Sequence, residues 1–224
     1  MEIIPAILPH DFTDLENRIN QVKGLVPFVQ VDICDGRFVP SFSWPYKKHD
    51  HNFDEILNEE RGLPGWEDID YEIDLMVSNP EEDIQRWMTA GAARIVIHIE
   101  STNNLAKVFE HAGELVDIGL AINLNTPIEA LDEALAIGGE RVKFIQCMGI
   151  GRIGFQGQNF DERVFEKIAE IRTKYPTMLI SVDGGVNEDS APLLIDAGVN
   201  RLIVGSAIFE SDNIPEAIHT FENI

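Results

Sequence analysis

Three aspartates stand in strand-like runs, where a carboxylate is out of place unless it has a task. Asp32 lies in Phe28-Val29-Gln30-Val31-Asp32-Ile33-Cys34, and Asp35-Gly36-Arg37-Phe38-Val39-Pro40 turns behind it. Side chains alternate between the faces of a strand, so Gln30, Asp32 and Cys34 share one face. An ionised carboxylate on a buried face is costly unless something compensates it. Asp32 therefore reads either as a proton-transfer residue or as a buried Asp that caps the following turn. Asp74, in Tyr71-Glu72-Ile73-Asp74-Leu75-Met76-Val77, shares a face with Met76. Asp183 stands where Ser181-Val182-Asp183 meets Gly184-Gly185-Val186. Brought together, three such groups cannot all stay ionised without a compensating charge. A divalent cation would supply it, and an all-oxygen donor set favours Mg²⁺ or Mn²⁺ over Zn²⁺. Asp32, Asp74, Asp183 and Gln30 are the candidate metal residues, with an ordinary hydrogen bond near a rim as the other reading of Asp74.

The elements that must position these residues alternate along nearly the whole chain. Apolar runs predict strands at Ile3–Ile7, Phe28–Ile33, Tyr71–Val77, Arg94–Ile99, Gly119–Leu124, Val142–Met148, Met178–Val182 and Arg201–Val204. Amphipathic stretches predict helices at Phe12–Gly24, Asp54–Glu60, Pro80–Ala90, Asn104–Asp117, Ile128–Ala136, Asp161–Tyr175, Asp189–Ala197 and Ile214–Phe221. Asn79-Pro80 reads as an N-cap followed by the first helical position, and Gly91 and Gly198 read as helix-ending glycines. Eight strand–helix pairs in 224 residues predict an α/β protein, a single (β/α)8 TIM barrel spanning 1–224. A doubly wound sheet is the rival, but it usually has fewer strands and a glycine-rich loop after the first. Here Ile7-Leu8-Pro9-His10 follows instead.

In a barrel the active site forms at the C-terminal ends of the strands. The loops after strands seven and eight often hold a phosphate through free backbone N–H groups and a helix N-terminus. Asp183-Gly184-Gly185 and Gly205-Ser206-Ala207 occupy those places. Ordinary turns that need glycine are the competing reading. After strand six, Gly149-Ile150-Gly151-Arg152-Ile153-Gly154-Phe155-Gln156-Gly157-Gln158 has the glycine content to fold over a ligand. Arg152 is its one fixed cation, either reaching a phosphate or solvated. The six histidines form no metal spacing. His49 and His51 lie in the irregular region 41–70 after strand two, and His98 shares a strand face with Val96 and Glu100. That region reads as a decorative insertion with one helix, with a lid or an oligomer contact as the alternatives.

Formal charge is −22, from 17 Lys and Arg against 39 Asp and Glu. Such an excess argues against nucleic acid and anionic membrane surfaces. Two cysteines, Cys34 and Cys147, make no disulfide framework and read as buried thiols. Neither a signal peptide nor a membrane-spanning apolar run is evident in the sequence, so the expected location is the cytoplasm.

Taken in order, these motifs resemble the ribulose-phosphate 3-epimerase family. The residues that carry the likeness are Ile4-Pro5-Ala6-Ile7-Leu8, Val31-Asp32-Ile33-Cys34-Asp35-Gly36-Arg37-Phe38-Val39-Pro40, Asp74-Leu75-Met76-Val77 with Pro80, Gly154-Phe155-Gln156-Gly157-Gln158-Asn159-Phe160, Val182-Asp183-Gly184-Gly185-Val186 and Gly205-Ser206-Ala207-Ile208-Phe209. The resemblance implies a ribulose-phosphate-binding barrel and an isomerase that inverts C3 of a ketose phosphate through an enediolate. Asp32 and Asp183 match the family's acid–base pair. Gly157, Gly184, Gly185, Gly205 and Ser206 match its phosphate cradle, and Met76 and Met148 the apolar walls. A divalent metal is implied and a nucleotide cofactor is not. The implied partner is a small sugar phosphate, with neither nucleic acid nor membrane, and the region 41–70 is a plausible homo-oligomer contact.

The departures fall on the metal. Gln30 and Asp74 stand where the family carries metal-binding histidines, Ala6 where it has serine, Cys34 where it has methionine, and Ile153 where it has proline. An amide carbonyl is a weaker ligand than imidazole, and Asp74 adds negative charge, so a zinc site of the usual kind is not expected. Two alternatives stay open. One is a sugar-phosphate-binding protein that has lost turnover. The other is a related ketose-phosphate lyase or decarboxylase, although such barrels usually need a lysine near the carboxylates of strand two or three, and Arg37 and Lys47 are poor substitutes.

Overall fold

The computed structural model describes residues 1–47 and 50–224. His49, read above as part of the irregular region, lies outside the described residues. Strands Glu2–Ile7 (β1), Phe28–Cys34 (β2), Asp70–Met76 (β3), Ala92–His98 (β4), Asp117–Ile122 (β5), Val142–Met148 (β6), Leu179–Asp183 (β7) and Arg201–Val204 (β8) pair in parallel, each with the next. β8 returns to β1, so the sheet closes into a barrel. Helices Phe12–Val22 (α1), His51–Leu57 (α2), Ile84–Thr89 (α3), Leu105–Ala112 (α4), Ile128–Gly138 (α5), Val164–Lys174 (α6) and Ser190–Asp196 (α7) connect successive strands. Ser206–Phe209 (α8) and Ile214–Glu222 (α9) follow β8. The fold is the expected (β/α)8 barrel.

The main core is the layer between strands and helices. In α1, Phe12, Leu15, Ile19 and Val22 recur at helical spacing and are all buried, and Asp11 caps the first turn by accepting from the Asp14 N–H. Several expected boundaries move. α2 begins at His51, three residues before the expected start, because the Asp50 side chain accepts from the N–H groups of Asn52 and Phe53. α4 ends at Ala112 and not near Asp117, since Gly113 leaves the helix at φ +59°. β5 accordingly starts at Asp117. The expected helix at Pro80 divides into a 3₁₀ turn, Pro80–Glu82, and α3; Asn79 sits at φ +57° and makes no side-chain cap.

The region 41–70 is not decorative at its start. The Ser43 hydroxyl donates to the Asp32 carbonyl (2.8 Å) and accepts from the Cys34 N–H (2.9 Å), which pins the segment to β2. Trp44 is 2% exposed and packs against Phe12, Phe53 and Trp87. The chain after β2 thus completes the core under α1, α2 and α3.

Inside the barrel, polar groups fill both ends. At the N-terminal end Arg201 pairs with Glu72 and with Glu2 (3.0 Å), and donates to the Ser181 hydroxyl (2.9 Å). Arg94 also pairs with Glu2 (2.9 Å). Burial pushes the Glu72 carboxyl up while Arg201 and Arg94 hold it down. This ion-pair network closes the base, and Phe144, Val96 and Ala121 pack in an apolar cluster beside it.

Candidate active site

Strand register brings the singled-out aspartates together. Asp32 lies beside Asp74 across β2 and β3, and Asp183 beside Met148 across β7 and β6. One oxygen from each of Asp32, Asp74 and Asp183 lies within 4.8 Å of the others. All three side chains are buried. This buried cluster is able to hold a metal ion.

Two amides and an imidazole tie the carboxylates together. Gln30 Nε2 donates to Asp32 Oδ1 (2.8 Å) and to Asp183 Oδ2 (3.0 Å). Gln146 Nε2, on β6, donates to Asp74 Oδ2 (3.1 Å) and to Asp183 Oδ2 (3.4 Å). His98 Nε2 meets Asp74 Oδ1 at 3.1 Å. A continuous chain results: Asp32, Gln30, Asp183, Gln146, Asp74, His98. The Oε1 atoms of both glutamines and Nδ1 of His98 are buried without a hydrogen-bond partner.

Burial sets the electrostatics. Asp32 is raised well above the usual carboxylate range by burial first, then by the neighbouring charges of Asp183 and Asp74, with Gln30 opposing. Asp183 is raised to about 7, again by burial first and then by Asp74, with Gln30 and His98 opposing. His98 is raised as well: burial favours its neutral form, but the charge and hydrogen bond of Asp74 outweigh it. The cysteines are silent by comparison. Burial pushes the Cys34 thiol far up and Cys147 to about 12, so neither is a thiolate near neutrality.

Above this chain lies a pocket that opens at the C-terminal mouth. Asp32 and Asp183 line it together with Met76, Met148, Gly157, Gly184, Gly185, Gly205 and Ser206. Gly185 has φ +70°, and a Cβ there would lie 2.6 Å from the Phe160 Cα. Only glycine lets the loop after β7 pass so close to the loop after β6. Ala6, Ile150, Gly154, Phe155, Gln156 and Gln158 also border the pocket, and Gln156 Nε2 donates to the Ala6 carbonyl (3.1 Å). Among the described residues no lysine, arginine or histidine lines it.

Asp74 and Gln30 are 0% exposed and sit outside the pocket lining, behind Asp32 and Asp183. Arg152 is not brought to the pocket: it is exposed, with its guanidinium 4.3 Å from the centre of the Phe155 ring. Lys47 also points elsewhere, to the ring of His10, and Arg37 is exposed. The sequence reading passed over Gln146. Its signal was the one that exposed Asp32, a polar residue at an inward position of an apolar strand, alternating with Phe144 and Met148.

Comparison with known proteins follows the same lines. The model of the ribulose-phosphate 3-epimerase family matches residues 2–209. Ribulose-phosphate 3-epimerase of Bacillus subtilis (strain 168) is 30% identical over 226 residues, covering 97% of this chain and 96% of that protein. The enzyme of that name in Schizosaccharomyces pombe is 28% identical and covers 99% and 92%. Among solved structures, 3-hexulose-6-phosphate synthase superposes with a TM-score of 0.71 at 16% identity, over 100% of this chain and 99% of that one. KGPDC from Streptococcus mutans in complex with D-R5P gives 0.73 at 13%, over 99% and 95%. These two establish the fold. The family match, extending over all eight strands and every loop of the pocket, carries more: the chain belongs to the ribulose-phosphate 3-epimerase family.

Proposed function

We propose that this protein is an epimerase-type isomerase that inverts C3 of a ketose phosphate by proton transfer between Asp32 and Asp183. The observation that carries the reading is the pair itself. Two buried carboxyls line one pocket and are bridged by a single amide nitrogen, that of Gln30, at 2.8 and 3.0 Å. Burial and the neighbouring carboxylates raise both above the ordinary carboxylate range, which favours proton exchange over permanent ionisation. Inversion needs such a pair: one group removes the proton at C3 and the other returns it to the opposite face.

Gly184, Gly185, Gly205, Ser206 and Gly157 form the phosphate end of this reading. With no cationic side chain lining the pocket among the described residues, the donors left for a phosphate are backbone N–H groups, the Ser206 hydroxyl and the amides of Gln156 and Gln158. Met76 and Met148 wall the reacting carbons and keep water from the carbanion-like stage. The lyase alternative finds no lysine in this pocket among the described residues. We take the chain as one domain serving one site, cytoplasmic, with a small sugar phosphate as partner. Its charge of −22 opposes binding to nucleic acid or anionic lipid.

The donor set fits a hard divalent cation. Three carboxylates converge within 4.8 Å, and the two amides that touch them each keep an oxygen without a partner. Asp32, Asp74 and Asp183 would hold it, with Gln30 beside them, and Mg²⁺ or Mn²⁺ suits oxygen donors better than Zn²⁺ does. When bound, the cation supplies Lewis-acid stabilisation of developing negative charge.

The test is exchange at C3 of ribulose 5-phosphate in D₂O, followed by NMR on metal-stripped and metal-supplemented protein. Asp32→Asn and Asp183→Asn should each lower exchange by about 10²–10⁴-fold. Absence of exchange with every divalent metal, while phosphate ligands still bind, would leave a binding protein and overturn the reading for this substrate.

A further inference from the structure

Gln146 is a buried polar residue of the interior that neither the acid–base pair nor the phosphate cradle uses. It is 0% exposed on β6, between Phe144 and Met148 on the inward face. An amide placed there is costly unless its donor and acceptor are both matched. Its donor side is matched, to Asp74 Oδ2 (3.1 Å) and Asp183 Oδ2 (3.4 Å). Its acceptor, Oε1, has no partner. On β2, Gln30 repeats the pattern. It bridges Asp32 and Asp183 through Nε2 and leaves its own Oε1 without a partner.

The two amides therefore share Asp183 Oδ2 and between them touch every carboxylate of the cluster. The atoms left unmatched on them are both oxygens, each on the same amide as a nitrogen that touches the carboxylates. Further N–H donors would satisfy one or two such atoms. A cation satisfies many at once, and amide carbonyls are ordinary ligands of hard cations alongside carboxylates. Rotation of an amide by half a turn about its last bond exchanges the positions of Nε2 and Oε1. His98 completes the arrangement by holding Asp74 Oδ1, the kind of outer contact that fixes a ligating carboxylate.

We propose that Gln146, paired with Gln30, contributes its amide oxygen to a divalent-cation site shared with Asp32, Asp74 and Asp183, giving a donor set of oxygen alone. This rests on the reading above that the carboxylate cluster holds a metal. It assigns to β6 a metal-site residue that none of the family-like motifs in the sequence contains.

The test is Mn²⁺ binding to the metal-stripped full chain, read by calorimetry and by loss of the free-ion electron paramagnetic resonance signal. Gln146→Leu should weaken Mn²⁺ binding by about 10–100-fold. Gln146→Glu, which keeps an oxygen at that place but has no N–H to donate, should restore binding to near the wild-type level or beyond. Gln146→Met, close in volume, is read in the same way if the Leu variant does not fold. Wild-type affinity in Gln146→Leu or Gln146→Met overturns the assignment, and so does a Glu variant as weak as the Leu variant. Wild-type protein that binds no Mn²⁺ overturns it too. C3 exchange in chelator is run in parallel, so that failure of the isomerase reading and failure of this site are separate results.

Discussion

At the scale of single residues, the central fact is that three buried carboxylates are tied together by two amides and one imidazole. Asp183 shows what this does to folding. Its folded carboxyl titrates at about 7, raised by burial and by Asp74, against about 3.9 for an unfolded Asp. The native state therefore binds this proton more tightly than the unfolded chain does. Its contribution to stability is fully present below about pH 4 and is lost as pH rises through 7. In metal-stripped protein, Asp183→Asn should remove that loss, because Asn resembles the neutral carboxyl and can still accept from Gln30. The stability of wild type relative to the variant should fall by on the order of 2–4 kcal/mol between pH 4 and 8. Paired urea melts across that range check it, and parallel curves would contradict it. Asp32 and Asp183 were legible because a carboxylate inside an apolar strand is conspicuous. Gln146 was not, because a neutral amide in a strand draws no charge argument, and its partners Asp74 and Asp183 are 72 and 37 residues away in sequence.

At the scale of elements, the barrel interior is set by pairs of positions that fit only together. Gly119 on β5 faces Phe144 on β6, and a Cβ at Gly119 would lie 2.2 Å from the Phe144 ring. Phe144 in turn lies 4.0 Å below the Arg201 guanidinium, which closes the base with Glu72 and Glu2. Gly119→Ala should therefore overpack the barrel and cost about 1–3 kcal/mol. For a chain of this size that is a fall in Tm of roughly 2–12 °C. Phe144→Leu in the same background should recover part of it, and thermal melts of the single and double variants decide the matter; a double variant no better than Gly119→Ala would place the strain elsewhere. Strand and helix order could be read from the sequence because periodicity and apolar runs are local. The ends of α2 and α4 could not, because a cap at Asp50 and a turn at Gly113 decide them against the apolar pattern. Trp44 also escaped: its burial against Phe12, Phe53 and Trp87 depends on elements that meet only in the folded barrel.

At the scale of the whole molecule, a charge of −22 surrounds a pocket read here as an anion site. The two facts are compatible because they act over different distances. On that reading, backbone N–H groups at Gly184, Gly185 and Gly205 would act at contact, within the recess those residues line. The net charge acts over a screening length, about 30 Å at 0.01 M salt and about 8 Å at 0.15 M. A doubly charged sugar phosphate must cross this repulsive field before it reaches any donor. Added salt should therefore help its capture, the reverse of a site that steers anions with lysines. With ribulose 5-phosphate, kcat/KM should rise between 0.01 and 0.15 M salt while kcat stays nearly constant, since the field alters approach and not the Asp32–Asp183 chemistry. Rates measured in chloride and in a bulkier monovalent anion separate screening from occupancy of the phosphate end: screening raises kcat/KM equally in both, whereas competition lowers it in the anion that fits. A fall in kcat/KM with salt in both series would show that local positive potential outweighs the global charge, and would place a cationic side chain at the mouth during binding.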